Sequence, residues 1–283
     1  MNYFAILRWP EAGAAGCQEQ FYLDSRRDVF QAAGMLGPAS CAAVIPCFNE
    51  GATIAALIGG ARQRLPIIIV VDDGSTDDTP AQAANAGAVV ISHSRNFGKG
   101  VALRTGFSQA LKQGLEWAVT MDGDGQHSPD DLPNMLRCAE ESGALLVVGN
   151  RMPQARAMPW LRRRVNLWMS RKLSQRAGRI LPDTQSGFRV IHLPTWSVLP
   201  LNAERFEVES EMLMAFVTAD CPVAFEPIQV IAPGRNSHIR PVADTLRWWK
   251  WWLRLNRPQK LPAEVEGDPR NEPRQEFNRV SIP

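Results

Sequence analysis

The stretch Ile67-Ile-Ile-Val-Val-Asp-Asp-Gly-Ser-Thr-Asp77 decides how this chain is read. Its five branched aliphatic residues carry no polar alternation, so they describe a strand buried on both faces, as in parallel sheets covered by helices. Asp72 and Asp73 follow at the mouth of that strand, where a carboxylate without a partner is costly. A turn, with a Ser75/Asp78 capping box for the next helix, explains the local chemistry but not two acids at that place. The pattern recurs on either side. A strand over 41–45 runs into Val44-Ile-Pro-Cys-Phe-Asn-Glu50, and a strand over 117–121 runs into Thr120-Met-Asp-Gly-Asp-Gly-Gln-His127.

Outward from these three stretches, short apolar runs alternate with helix-like ones. Further strands are expected over 88–91 and 144–149, and helices over 52–64, 78–85, 100–113 and 129–141. This is an α/β chain with a mostly parallel, Rossmann-like sheet flanked by helices. Ligands of such sheets bind beyond the carboxyl ends of the strands, where all three polar motifs sit. Residues 1–37 read as an N-terminal extension ended by Gly37-Pro38. A catalytic domain is expected over 38–234, a basic Trp-rich amphipathic helix over 235–257, and a disordered tail over 258–283.

Composition narrows the function. The 283 residues carry 31 Lys+Arg against 29 Asp+Glu, a net charge of +2 that excludes a generally basic nucleic-acid coat protein. That sum hides opposites: residues 38–150 balance at −5 and residues 151–179 at +9. No run approaches the roughly 18 apolar residues of a membrane-spanning helix, and residues 1–16 make a poor secretory signal. The five cysteines, at 17, 41, 47, 138 and 221, form no CxxC pair, which reads as scattered thiols in a reducing, cytosolic compartment. Neither a GxxxxGK[ST] loop nor a strand-linked GxGxxG is present, which disfavours an ATPase or a dinucleotide dehydrogenase.

Asp122 and Asp124 stand two apart, so in extended geometry both carboxylates point to one side. Gly123 and Gly125 allow close approach of a ligand. Two carboxylates suit Mg2+ or Mn2+, which complete their shells with water and substrate phosphates. The plain alternative is a solvated acidic turn. His127, followed by Ser-Pro, reads first as a turn residue and second as a further ligand.

The three motifs together resemble glycosyltransferase family 2, whose fold is GT-A. Three further pieces fit: Arg95-Asn-Phe-Gly-Lys-Gly100 before a helix, Asp183-Thr-Gln-Ser-Gly-Phe-Arg189, and Arg205-Phe-Glu-Val-Glu209. The resemblance spans about 41–230 and is nearest to the dolichyl-phosphate mannose synthase-like, polyprenyl-phosphate sugar transferase branch. It implies that Pro46, Phe48 and Glu50 surround the nucleoside, with Val71 and Asp73 on base and ribose. It also implies that Asp122, Gly123 and Asp124 hold the metal and the donor diphosphate with Gln126 as a further metal-site residue, and that Arg151 lies near the donor. Glu209 matches an acidic position of a later helix. Where family members often place an Arg and a Lys for the diphosphate, this chain reads Pro233-Gly-Arg-Asn-Ser-His238, so Arg235 or His238 is left to substitute.

The expected chemistry is inverting, metal-dependent transfer of a sugar from a UDP- or GDP-sugar to a polyprenyl phosphate, dolichyl or undecaprenyl. A phosphate acceptor is already anionic and needs no base. A hydroxyl acceptor, on a glycolipid or polysaccharide precursor, is the alternative and needs one; Asp183 is then the first candidate, Glu209 the second, and for Asp183 a simple turn cap is the competing account. A non-catalytic nucleotide-sugar or membrane-binding module is the alternative from another class. In residues 151–179, Trp160, Leu161, Val165, Leu167, Trp168 and Leu173 intersperse with cations, and in 242–257 Trp248, Trp249, Trp251 and Trp252 intersperse with Arg247, Lys250 and Arg254. Trp with Lys and Arg suits anchoring at the inner face of a membrane. Packing of those Trp against the catalytic domain is the rival, and nucleic-acid binding lacks any motif.

Overall fold

A computed structural model describes residues 36–205, 207–231 and 241–255. Seven strands form one sheet in the order β3–β2–β1–β4–β6–β5–β7: β1 Cys41–Cys47, β2 Ile67–Asp72, β3 Val89–Ser92, β4 Trp117–Thr120, β5 Leu146–Asn150, β6 Arg189–His192 and β7 Val223–Pro227. The helices are α1 Gly51–Arg62, α2 Thr79–Asn85, α3 Lys99–Lys112, α4 Leu132–Ser142, α5 Trp160–Ala177, α6 Leu193–Val198, α7 Val208–Thr218 and α8 Pro241–Leu255.

The centre of the sheet shows why the apolar runs are continuous. Ala42, Ala43, Val44 and Ile45 are consecutive and all fully buried, which in a strand requires cover on both faces. Gly106 lets α3 lie close on the sheet, because a Cβ there would run into Val44 and Val71. The pairings of β1 with β2 and β4, of β2 with β3 and of β5 with β7 are parallel, as expected.

β6 differs. It runs antiparallel to both β4 and β5, and with β7 it was not anticipated. Its four residues begin and end on Arg189 and His192, which read as surface positions yet are 2% and 1% exposed. The expected capping box is also corrected. Ser75 Oγ accepts the Asn49 N–H at 2.8 Å, and Asp77 Oδ1, not Ser75, accepts the N–H of Thr79 at the start of α2, at 3.0 Å.

In α5 the buried positions Asn166, Met169, Ser170 and Leu173 form one inward stripe at helical spacing. Trp160, Leu161, Leu167 and Trp168 face outward. α8 lies against α5: the Trp168 ring is 5.3 Å from Trp248 and 5.8 Å from Trp249, and Trp248 stacks on Trp252 at 5.6 Å. Trp248 is only 2% exposed, which removes it from the expected membrane-facing set; packing explains it. Among the described residues no helix is long and apolar enough to cross a membrane. The expectations for 1–35, for 232–240 with Arg235 and His238, and for the tail 258–283 lie outside the described residues.

Candidate active site

The loops after β1 and β2 are stitched to each other. Asn49 takes a left-handed φ of 58°, a conformation its short polar side chain tolerates. Its Oδ1 accepts the Thr76 N–H at 2.8 Å, the Glu50 N–H donates to Thr79 Oγ1 at 2.8 Å, and the Gly51 N–H donates to Asp77 Oδ2 at 3.2 Å. Phe48 and Glu50 are thereby held half-buried beside Pro46, which pairs across β1 with Val71.

Asp73 is already committed. Its oxygens accept from the Phe97 N–H at 3.0 Å and the Gly98 N–H at 2.7 Å, and His93 Nδ1 lies 2.7 Å away, with His93 Nε2 3.0 Å from Thr105 Oγ1. The Val71 side chain is fully buried and faces α3 at Gly106. The Val71 side chain is thus turned toward α3, and Asp73 anchors the loop that carries Lys99.

After β4 the chain turns through Asp122–Gly123–Asp124. The Asp122 N–H donates to His127 Nδ1 at 3.0 Å, so His127 is a buried, satisfied turn residue whose pKa burial pushes down to about 4. Thr53 Oγ1 donates to the Gly123 carbonyl at 2.6 Å, tying the turn to α1. Glycine is required at 123, because a Cβ would sit 2.7 Å from Cys47 Sγ. Gln126 donates to Asp124 through its backbone and its side-chain amide, and its Oε1 accepts from Arg162 Nη1 at 2.8 Å. Gln126 thus bridges Asp124 and Arg162.

Lys99, which the sequence reading left out of the site, joins two of its acids. Its ammonium contacts Asp122 Oδ1 and lies 2.5 Å from Glu209 Oε1. Burial opposes the charge of both Lys99 and Asp122, and their mutual attraction overrides it: Lys99 is raised and Asp122 held well below the carboxylate range. Gly187 makes room, since a Cβ there would come within 2.8 Å of Asp122 and of Lys99 Nζ. Glu209 Oε2 is buried with no hydrogen-bond partner.

Asp183 is fully buried and bidentate on Arg151, at 2.7 Å to Nε and 2.9 Å to Nη2, with the Arg151 N–H at 3.1 Å. Burial works against its charge, but Arg151 holds its pKa below the ordinary value. That corrects the first candidate for a general base: a carboxylate so held is a weak proton acceptor and serves to fix Arg151.

One cavity collects the rest. Asp122, Asp124, Gln126 and His127 line one side; Arg151 and Arg162 line another; Met158, Pro159, Val230 and Ile231 complete an apolar rim. Arg162 and Lys99 escaped the sequence reading because each sits among other cations or glycines with no local partner. Burial, then Asp122, raises Asp124, and burial, then Asp124 and Asp122, raises Glu50 to about 7. Acids crowded until they resist ionisation fit a divalent cation that also binds phosphates. Among the described residues no cluster of three or more His, Cys, Asp or Glu forms a closed protein cage.

Comparisons with known proteins bear on this site. A family model described as Glycosyl transferase family 2 matches residues 42–193. The polyprenol monophosphomannose synthase of Mycolicibacterium smegmatis is 32% identical over 234 residues, 76% of this chain and 88% of that one. The UDP-N-acetylglucosamine–dolichyl-phosphate N-acetylglucosaminyltransferase of Methanococcus voltae is 30% identical over 211 residues, 66% of this chain and 84% of that one. Among solved structures, glucosyl-3-phosphoglycerate synthase from Mycobacterium tuberculosis, crystallised with Mn2+, UDP-glucose and phosphoglyceric acid, superposes with a TM-score of 0.61 at 22% identity. It covers 87% of this chain and 85% of that one, a likeness of the GT-A fold. With the family model spanning more than half of its length, this chain belongs to glycosyltransferase family 2.

Proposed function

We propose that the protein transfers a sugar from a UDP- or GDP-sugar to a polyprenyl phosphate, with inversion, at the cytosolic face of a membrane. The observation that carries this reading is the division of the cavity: two carboxylates on one side, two arginines and an apolar rim on the other. The acidic side suits a cation-bound diphosphate. The cationic side suits a second phosphate, and the rim of Met158, Pro159, Val230 and Ile231 suits the lipid attached to it.

Asp122 and Asp124 would hold Mg2+ or Mn2+, which supplies Lewis-acid stabilisation to the departing nucleoside diphosphate. Arg151, fixed by Asp183, and Arg162, steadied on Gln126, orient the acceptor phosphate and offset charge in the transition state. The acceptor oxygen is anionic and attacks the anomeric carbon in a single displacement, which inverts it. Asp183 is unsuited to take a proton, so a phosphate acceptor agrees with the site better than a hydroxyl. A second reading, a hydroxyl acceptor, would call on Glu209 as base, since its Oε2 has no hydrogen-bond partner although Oε1 is paired with Lys99.

The domain division proposed is a catalytic unit over 38–234 with the basic, Trp-rich segment 235–257, which includes α8, as its membrane-facing element. The exposed Trp160, Leu161, Leu167 and Trp168 of α5 and Trp249 and Leu253 of α8 are interleaved with Arg163, Arg164, Lys250 and Arg254, a composition suited to an anionic lipid surface.

A thermal-shift screen of UDP- and GDP-sugars with and without Mn2+ tests the donor side. Stabilisation by one nucleotide class, dependent on Mn2+ and absent in Asp124→Asn, is expected; no stabilisation by either class overturns the donor-site assignment. Flotation with vesicles of phosphatidylglycerol and phosphatidylcholine tests the membrane side. It should fail when Trp249 and Leu253 become Ser, and retained flotation overturns the surface.

A further inference from the structure

The indole N–H of Trp248, in α8, donates to Ser210 Oγ at 2.9 Å. Ser210, in α7, is fully buried, and its Oγ also accepts from Gln185 Nε2 at 2.8 Å. Both lone pairs of that hydroxyl are therefore spoken for by N–H donors on elements far away in sequence. Gln185 Nε2 lies 2.8 Å from Thr184 Oγ1, and the Thr184 N–H donates to Ser170 Oγ of α5 at 3.1 Å. The Gln185 N–H donates to Asp183 Oδ1 at 3.2 Å. A path of hydrogen bonds through the half-buried Gln185 thus runs from the Trp-rich helix to the carboxylate that clamps Arg151. Ser210 also directly follows Glu209, the partner of Lys99.

A tryptophan placed there only to fill space does not need its N–H satisfied by this residue. Trp248 already stacks on Trp252 and packs against Trp168. The polar end of its ring is aimed instead at a hydroxyl that also holds Gln185 of the 183–187 loop.

We propose that Trp248 is a positioning residue of the active site: through Ser210 and Gln185 it fixes the loop that holds Asp183 on Arg151, so that the seating of α8 sets the geometry of the cationic side of the cavity. The consequence for transfer rests on the acceptor role given to Arg151 above; the mechanical coupling does not.

Hydrogen–deuterium exchange on the full chain tests the coupling. Trp248→Phe keeps an aromatic ring in the stack but removes the donor; Ser210→Ala removes the acceptor shared by Trp248 and Gln185 without changing the sequence of α8. Each should speed exchange of the 183–187 segment roughly tenfold, the effect of one buried hydrogen bond on local opening. Exchange at 41–47 should not move, and the double variant should do no more than either single one. Unchanged exchange at 183–187 in both single variants overturns the proposal, as does an increase shared equally by 41–47, which is general loosening. In transfer assays both variants should raise the acceptor KM several-fold and leave the donor KM alone, whereas a loss of folded protein moves neither. Faster exchange without a change in acceptor KM upholds the coupling and overturns the assignment of Arg151 to the acceptor.

Discussion

The β1–β2 side of the site and the β5–β6 side are built in opposite ways. On the first, the loops after neighbouring parallel strands bind each other through neutral or singly charged hydrogen bonds, Asn49 to Ser75 and Thr76, Glu50 to Thr79, Gly51 to Asp77. On the second, full charges of opposite sign meet: Arg151 with Asp183 beside β5 and β6, and Lys99 with Asp122 and Glu209 next to them. A network of modest bonds loses little when one member goes. A buried ion pair leaves a stranded charge, so the two sides should answer mutation on different scales.

The largest effect is expected from Arg151→Ala. It strands Asp183, which is 0% exposed, and should lower unfolding stability by about 3–5 kcal/mol in a denaturant titration. Arg151→Met with Asp183→Leu should recover most of that loss while leaving transfer impaired, which separates stability from function on this side.

Next comes Asp124→Asn. It should cost on the order of 10²–10³ in transfer rate, the usual penalty for removing one electrostatic stabiliser. Because Asp122 and burial already raise Asp124, the same change should leave the melting temperature unchanged or higher.

On the opposite side, Asn49→Ala removes the bond to Thr76 and puts a branched-free but chiral residue at φ 58°. A loss of about 1–2 kcal/mol is expected, clearly below that of Arg151→Ala. Equal losses would erase the contrast between the two sides.

The smallest effect is a pH dependence. Burial and the neighbouring Asp124 and Asp122 push the Glu50 carboxyl up to about 7 in the folded chain, against an ordinary 4.5. The folded state therefore binds more protons between those values, and its stability falls as pH rises from 4.5 to 7. Glu50→Gln should flatten that part of the melting-temperature profile. The neutral, buried His127 and His192, both lowered to about 4, act in the other direction below pH 6.5, and the variant leaves their contribution in place.

The contrast also explains what could be read from the chain directly. Buried strands and the polar turns after them are local, so β1 through β5, the helices between them and the acids at 122 and 124 were legible. Arg151 was singled out only through the family resemblance, which implies a place near the donor; the structure sets it on the cavity wall beside Asp122 and Asp124. What was not legible depends on partners distant in sequence. Lys99 looked like part of a glycine-rich turn until Glu209, 110 positions on, was brought to it. Asp183 read equally as a turn cap or, for a hydroxyl acceptor, a base until Arg151 took it, and β6 hid because Arg189 and His192 masquerade as surface residues. Four tryptophans in five positions suggested one interface; folding divides them, with Trp248 inward and Trp249 39% exposed.

The measurement that bears most directly on the account is the acceptor requirement. Purified protein is given Mn2+, the nucleotide-sugar that stabilises it, and one polyprenyl phosphate, in parallel with the same lipid after phosphatase treatment. The account predicts a glycosylated lipid from the phosphate and none from the alcohol. Equal product from the alcohol would contradict it, return Glu209 as a base, and leave the arginine side of the cavity without its phosphate.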